Sequence, residues 1–102
     1  MWPEIAEFFV IPVGIPRAVK LSQVMTDKDQ LWENIVQRKK LKPNTIDNLA
    51  RWPFGDYMFG QEWDLLMSTT KLVTSGFADA VDTRDMLFEY FEQYRASKII
   101  PR

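Results

Sequence analysis

The run Ala50-Arg51-Trp52-Pro53-Phe54-Gly55-Asp56-Tyr57-Met58-Phe59-Gly60 constrains this chain more than any other stretch. Five of its eleven residues are Trp, Tyr, Phe or Met. Pro53 fixes one backbone angle and donates no N–H, while Gly55 and Gly60 open conformations closed to other residues. Large rings are thus held between points of punctuation, and something apolar has to meet them. Two readings satisfy this. The rings can plug a small core, as aromatics commonly do, or they can form one wall of an apolar ligand pocket.

The remaining composition excludes several functions. A chain of 102 residues predicts one domain over 1–102, burying roughly two thirds of its unfolded surface around one modest core. With 13 basic and 14 acidic residues the net charge is −1. That balance argues against a nucleic-acid platform or an anionic-membrane binder, and no apolar run approaches membrane-spanning length. There is no Cys and no His, so disulfides, thiol nucleophiles, Cys/His zinc sites and His-based triads are ruled out. No metal site is expected. Met1 to Ile15 lacks a basic leader and carries Glu4 and Glu7, so it reads poorly as a signal peptide, and a cytoplasmic location is expected.

Patterning predicts a mainly α fold of several short helices, with at most one or two short strands. Trp2 to Val10 reads as a helix, with Pro3 in its first turn and Ile5, Phe8 and Phe9 on one face. Pro12, Gly14 and Pro16 then break regular structure, and Val13 to Leu21 is expected to be extended, with room for a short strand. Ser22 to Met25 reads as a helical turn. Thr26, with Asp29 three residues on, forms a weak capping box for a helix carrying Leu31, Trp32, Ile35 and Val36 to about Arg38. Asn44 or Thr45 starts a short helix with Ile46 and Leu49. Trp63, Leu65, Leu66 and Met67 fit a strand or a helical turn alike. Thr70 to Thr74 reads as a short helix ended by Gly76 with Phe77 behind it. Asp82 or Thr83 caps a last helix with the stripe Leu87, Phe88, Phe91 and Tyr94, followed by the apolar tail Ile99-Ile100-Pro101.

Motifs for catalysis are scarce. No glycine-rich phosphate loop, Rossmann fingerprint or Ser-nucleophile elbow is present. Glu62 and Asp64 are neighbouring acids of a common surface kind. The basic run Arg38-Lys39-Lys40 with Lys42 suits a helix C-terminus; it fits a solvated face and, less commonly, a phosphate contact. Tyr94 and Lys98 have the Tyr-x-x-x-Lys spacing of short-chain dehydrogenases, which on a helix puts both on one face. At the chain's end, with no nucleotide fold before them, they read as a core Tyr beside a surface Lys.

Taken in order, the residues resemble the C-terminal region of the progesterone 5β-reductase and iridoid synthase-like family of atypical short-chain dehydrogenases. The matching pieces are Trp2-Pro3-Glu4-Ile5-Ala6 with Phe9, and Leu21 to Met25 followed by Trp32 and Ile35-Val36. Then come Trp52-Pro53-Phe54 with Asp56, Thr70-Lys71, Gly76-Phe77, Asp82-Thr83 with Phe88, and Ile99-Ile100-Pro101. The resemblance implies a mostly helical substrate lobe that closes over the reactive site of an enone or enal reductase. It implies that NADPH and the catalytic Tyr and Lys belong to a Rossmann lobe absent here, so no cofactor and no catalysis are expected in this chain alone. By position, Phe54 falls on the family's aromatic wall, with Trp52 and Met58 beside it as substrate-binding residues. The family usually has Ala where this chain has Gly55. The partners this implies are a hydrophobic small molecule and a Rossmann lobe. The rival reading is a small helical interaction module that self-associates, with Trp2, Phe8 and Phe9 at the contact.

Overall fold

A computed structural model describes residues Met1–Arg102. It contains seven α-helices and no strand: α1 (Trp2–Phe8), α2 (Leu21–Val24), α3 (Asp29–Lys39), α4 (Ile46–Leu49), α5 (Trp52–Phe59), α6 (Thr70–Thr74) and α7 (Thr83–Ala96). The mainly α expectation holds. The strand at Val13–Leu21 does not form: residues 11 to 20 are irregular and solvent-exposed, and α2 starts at Leu21. A lone extended segment has no neighbour for its backbone groups, and Pro16 could not donate to one. Trp63 to Met67 is neither helix nor strand, and Leu65 and Leu66 face solvent.

Helix ends follow local chemistry, with one exception to the sequence reading. Asp82 Oδ1 accepts from Asp85 N at 3.1 Å and starts α7 as expected. Thr26 does not cap α3, whose N-cap is Lys28. Its hydroxyl instead donates to Ser22 O at 2.6 Å, closing α2 from behind. Four helices end in the same way. After α6, Gly76 takes φ 95°, with Gly76 N bonded to Val73 O and Phe77 N to Leu72 O. This is the Schellman arrangement, which wants a left-handed residue. The same pair of bonds follows α1 at Val10, α3 at Lys40 and α7 at Lys98, with φ of 56°, 52° and 58°. A left-handed conformation strains any side chain, and a β-branched one most.

Three contacts hold the helices together. The Asp56 carboxylate on α5 meets the start of α2, described below. Near the chain ends, Phe8 of α1 and Phe9 just after it pack on Phe88 and Phe91 of α7, with ring centroids 5.0 to 5.5 Å apart. The Arg95 guanidinium lies 4.2 Å from the Phe8 centroid, over the ring. Phe8 and Phe9 therefore face inward, and of the three residues expected at a self-association contact only Trp2 stays open, against Phe59 at 5.7 Å. Third, Lys42 N donates to Lys98 O at 2.8 Å, tying the exit of α3 to the exit of α7.

These contacts do not enclose a core. No residue is buried, and the solvent-accessible surface is 9314 Å². A compact chain of this mass exposes roughly 6,000 Å², so about half of the unfolded surface is removed from water instead of the expected two thirds. The radius of gyration is 17.2 Å, against about 13 Å for a compact domain of this length.

Strain at Val10 gives a direct check. Val10 is exposed, so nothing is lost by removing its side chain. Val10→Gly should relieve the left-handed backbone and stabilise the chain by about 1 kcal/mol. Thermal melting followed by circular dichroism should show a midpoint raised by a few degrees, whereas Val10→Ala should give a smaller gain.

Candidate functional site

The punctuated aromatic run folds as helix α5, with Trp52 and Pro53 in its first turn, where a missing N–H does no harm. Its two faces differ. Trp52, Gly55 and Asp56, spaced three and four apart, form the half-buried face. Gly55 lies so close to α2 that a Cβ there would come within 2.9 Å of Leu21 Cδ1. Phe54, Tyr57 and Met58 form the outer face, with exposures of 63%, 65% and 52%. The three residues expected to line a substrate wall are thus divided: Trp52 anchors the helix, while Phe54 and Met58 stand one turn apart on its open side. Phe54 is no plug, because its ring is largely in solvent.

Trp52 and Phe54 line a depression of about 420 Å³, together with Asp47, Ala50, Arg51 and Pro53. Met58 is not among its lining residues. The Trp52 indole N–H is buried without a hydrogen-bond partner, a state that costs about 1–3 kcal/mol.

What fixes α5 was hidden in the sequence. α2 has no side-chain cap of its own at Lys20. The Asp56 carboxylate supplies one from 34 to 35 residues away: Oδ1 accepts from Leu21 N, and Oδ2 accepts from Ser22 N at 3.2 Å and from the Ser22 hydroxyl. These are two of the four N–H groups a helix start leaves unpaired. The Ser22 hydroxyl first, then the Ser22 and Leu21 amides, hold the Asp56 carboxyl below its ordinary pKa against the opposing effect of desolvation. Sequence reading noted Asp56 only as part of a matching run, since a cap supplied in trans leaves no local spacing signal.

The Tyr94/Lys98 pair does not form a catalytic face. α7 ends at Ala96, and Lys98 lies beyond it in a left-handed conformation, so helical spacing no longer relates the two. Tyr94 is not the core residue expected: it is exposed, and it stacks on Tyr90 with centroids 6.2 Å apart. No group of three or more Asp or Glu residues is placed to hold a metal ion. No helix is long and apolar enough to cross a membrane.

The architecture defines a class: a helical lobe whose aromatic helix presents an open apolar face. No family model matches the chain, but individual proteins do. The chain is 30% identical over 105 residues to an (S)-8-oxocitronellyl enol synthase of Camptotheca acuminata, covering 99% of this chain and 27% of that protein. It is 26% identical over 106 residues to a 3-oxo-Δ(4,5)-steroid 5β-reductase of Arabidopsis thaliana, again covering 99% of this chain and 26% of the relative. An uncharacterised protein of Schizosaccharomyces pombe is 31% identical over 71 residues, 70% of this chain. Along almost its whole length, then, the chain is related in sequence to the iridoid synthase and progesterone 5β-reductase family. It spans about a quarter of the length of these relatives.

Two mutations separate the faces of α5. Phe54→Ala removes a ring already in solvent and should cost about 1 kcal/mol or less. Trp52→Ala removes the anchor and should cost about 2–3 kcal/mol, reduced from a full core value by its partial exposure. Urea denaturation of both variants beside the parent checks this, and equal penalties would return Phe54 to the plug reading. Asp56 gives a pH prediction. A carboxyl with a lowered folded pKa adds stability that is present above its unfolded pKa and is lost as pH falls through the folded value. Helicity should therefore hold at neutral pH and fall below about pH 4, and Asp56→Asn should flatten that acid limb in a circular-dichroism titration.

Proposed function

We propose that this chain is the substrate lobe of an NADPH-dependent reductase that acts on an enone or enal. In this reading α5 lies over the substrate. Phe54 and Met58 give it an apolar surface, and Trp52 fixes that surface in place. One observation supports the reading above the others. The chain exposes roughly 3,000 Å² more than a free-standing domain of its mass, and this excess is rich in Phe54, Tyr57, Met58, Trp63, Leu65 and Leu66. Obligate partners bury about 1,000–2,500 Å² on each side, so the excess on this one chain is ample for such an interface. The quarter-length match to reductase-family proteins supports the same reading from sequence.

The chemistry divides accordingly. NADPH, bound by a nucleotide-binding lobe outside this chain, would supply the hydride. The lobe's own contribution is exclusion of water and orientation. An apolar wall raises the effect of every charge developing at the reacting carbonyl, and a rigid helix holds the enone against the cofactor face. The substrate is expected to be apolar around its conjugated bond, because the α5 face offers rings and a thioether and no charge.

The test supplies the missing lobe. The chain is mixed with the nucleotide-binding lobe of the Camptotheca relative and titrated with a 3-oxo-Δ4 steroid, following Trp fluorescence. Complex formation should raise the melting midpoint of the chain, because a partner that binds only the folded form stabilises it by mass action. Steroid binding should appear only in the mixture, and Phe54→Ala should weaken it about tenfold, the equivalent of about 1.4 kcal/mol. An unchanged midpoint with excess lobe would contradict the proposal.

A further inference from the structure

The ends of α3 and α7 meet at a second depression, far in character from the aromatic helix. Its volume is about 460 Å³, and its rim carries Lys39, Lys40, Arg95, Lys98 and Arg102. Between them the wall is aliphatic, from Leu41, Ala96 and Ile100. No carboxylate side chain lines it. Five of the chain's 13 basic residues therefore surround one site in a chain whose net charge is −1. Lys39, Lys40, Lys98 and Arg102 make no ion pair, whereas Arg95 is committed, paired with Glu92 at 3.0 Å and lying over the Phe8 ring at 4.2 Å, so four cations remain free. The sequence separates the two halves of this cluster by more than fifty residues. The Lys42 N to Lys98 O bond joins them, and the left-handed residues Lys40 and Lys98 both lie on the rim.

From this convergence we propose a binding site for a compact, multiply charged phosphate compound. One opposing effect has to be weighed. Both helices end here, and each C-terminus carries about half a negative charge. Together they offset about one of the four free cations. Two Schellman arrangements also occupy the carbonyls of Val36, Gln37, Tyr94 and Arg95, which reduces the offset further. A clear positive excess remains. An anion with two phosphate groups can engage several of the long side chains at once, as ammonium and guanidinium groups bind phosphate. The site has no aromatic ring on which a nucleobase could stack and no glycine turn. It is suited to an inorganic diphosphate or a sugar bisphosphate, and not to a nucleotide cofactor. This inference is independent of the substrate-lobe reading.

The test is a titration of the full chain with inorganic pyrophosphate at low ionic strength, followed by amide chemical shifts. Shifts should centre on residues 39–42 and 95–102 and shrink strongly in 1 M NaCl, where the screening length is about 3 Å. The double variant Lys40→Gly, Lys98→Gly removes two cations at positions where glycine suits the left-handed backbone, so its helices should be retained and its affinity for pyrophosphate should fall at least tenfold. Lys20→Gly, away from the site, should bind like the parent. Fructose 1,6-bisphosphate should compete with pyrophosphate, and NADPH should bind no tighter than pyrophosphate does. Shifts spread over all lysines, equal binding by the double variant, or tighter binding of NADPH would each overturn the proposal.

Discussion

The arrangement of this chain depends on one carboxylate. Asp56 sits on the inner face of α5 and caps α2 across 34 residues of intervening chain. The two helices it joins come together with their backbones in close approach. α2 is four residues long, too short to persist alone. Its first amides find no acceptor within its own sequence, so its existence follows from that of α5. The converse holds as well. With Asp56 fixed and Gly55 pressed against Leu21, the rotation of α5 about its axis is set. Phe54, Tyr57 and Met58 have no choice but to point outward. A polar interaction on one face thus determines what the opposite, apolar face can do.

The surface accounting gives that apolar face its meaning. Isolated exposed hydrophobics are normal on proteins, but so large a total excess is not. Here it accompanies an extended shape, 51 by 33 by 26 Å, a buried indole N–H without partner, and the complete absence of a sealed core. Each is consistent with the proposed substrate-lobe reading, in which a second surface would cover this face. The aromatic cluster of α1 and α7 is the nearest thing to a core, and it ties the two ends of the chain to each other without reaching the middle.

What the sequence made legible was mostly local. The Asp82 cap, the Gly76 stop, and the stripes of α7 and α3 rest on neighbours within a few residues, and they are present except that Tyr94 and Leu31 turn out exposed. The matching runs from Trp2-Pro3 to Ile99-Ile100-Pro101 also pointed to the right relatives. The failures share a cause. Thr26 had the spacing of a cap, but a nearby carbonyl, Ser22 O, took its hydroxyl. Val13 to Leu21 and Trp63 to Met67 had strand-like composition, yet a strand needs a neighbour that this chain does not contain. The Asp56 bridge and the basic depression join positions distant in sequence, so no periodicity announces them. Left-handed Val10, Lys40 and Lys98 were equally unreadable, since glycine is the usual sign of such a turn and only Gly76 carries it.

The most direct test of this account is scanning calorimetry of the isolated chain. A self-contained domain of about 100 residues absorbs about 60–80 kcal/mol in a single sharp transition. A chain that packs helices locally but closes no core should melt broadly, with less than about half of that enthalpy. A sharp transition of full size in a monomer would show that the chain completes its own core, and would contradict the view that its apolar face awaits another surface.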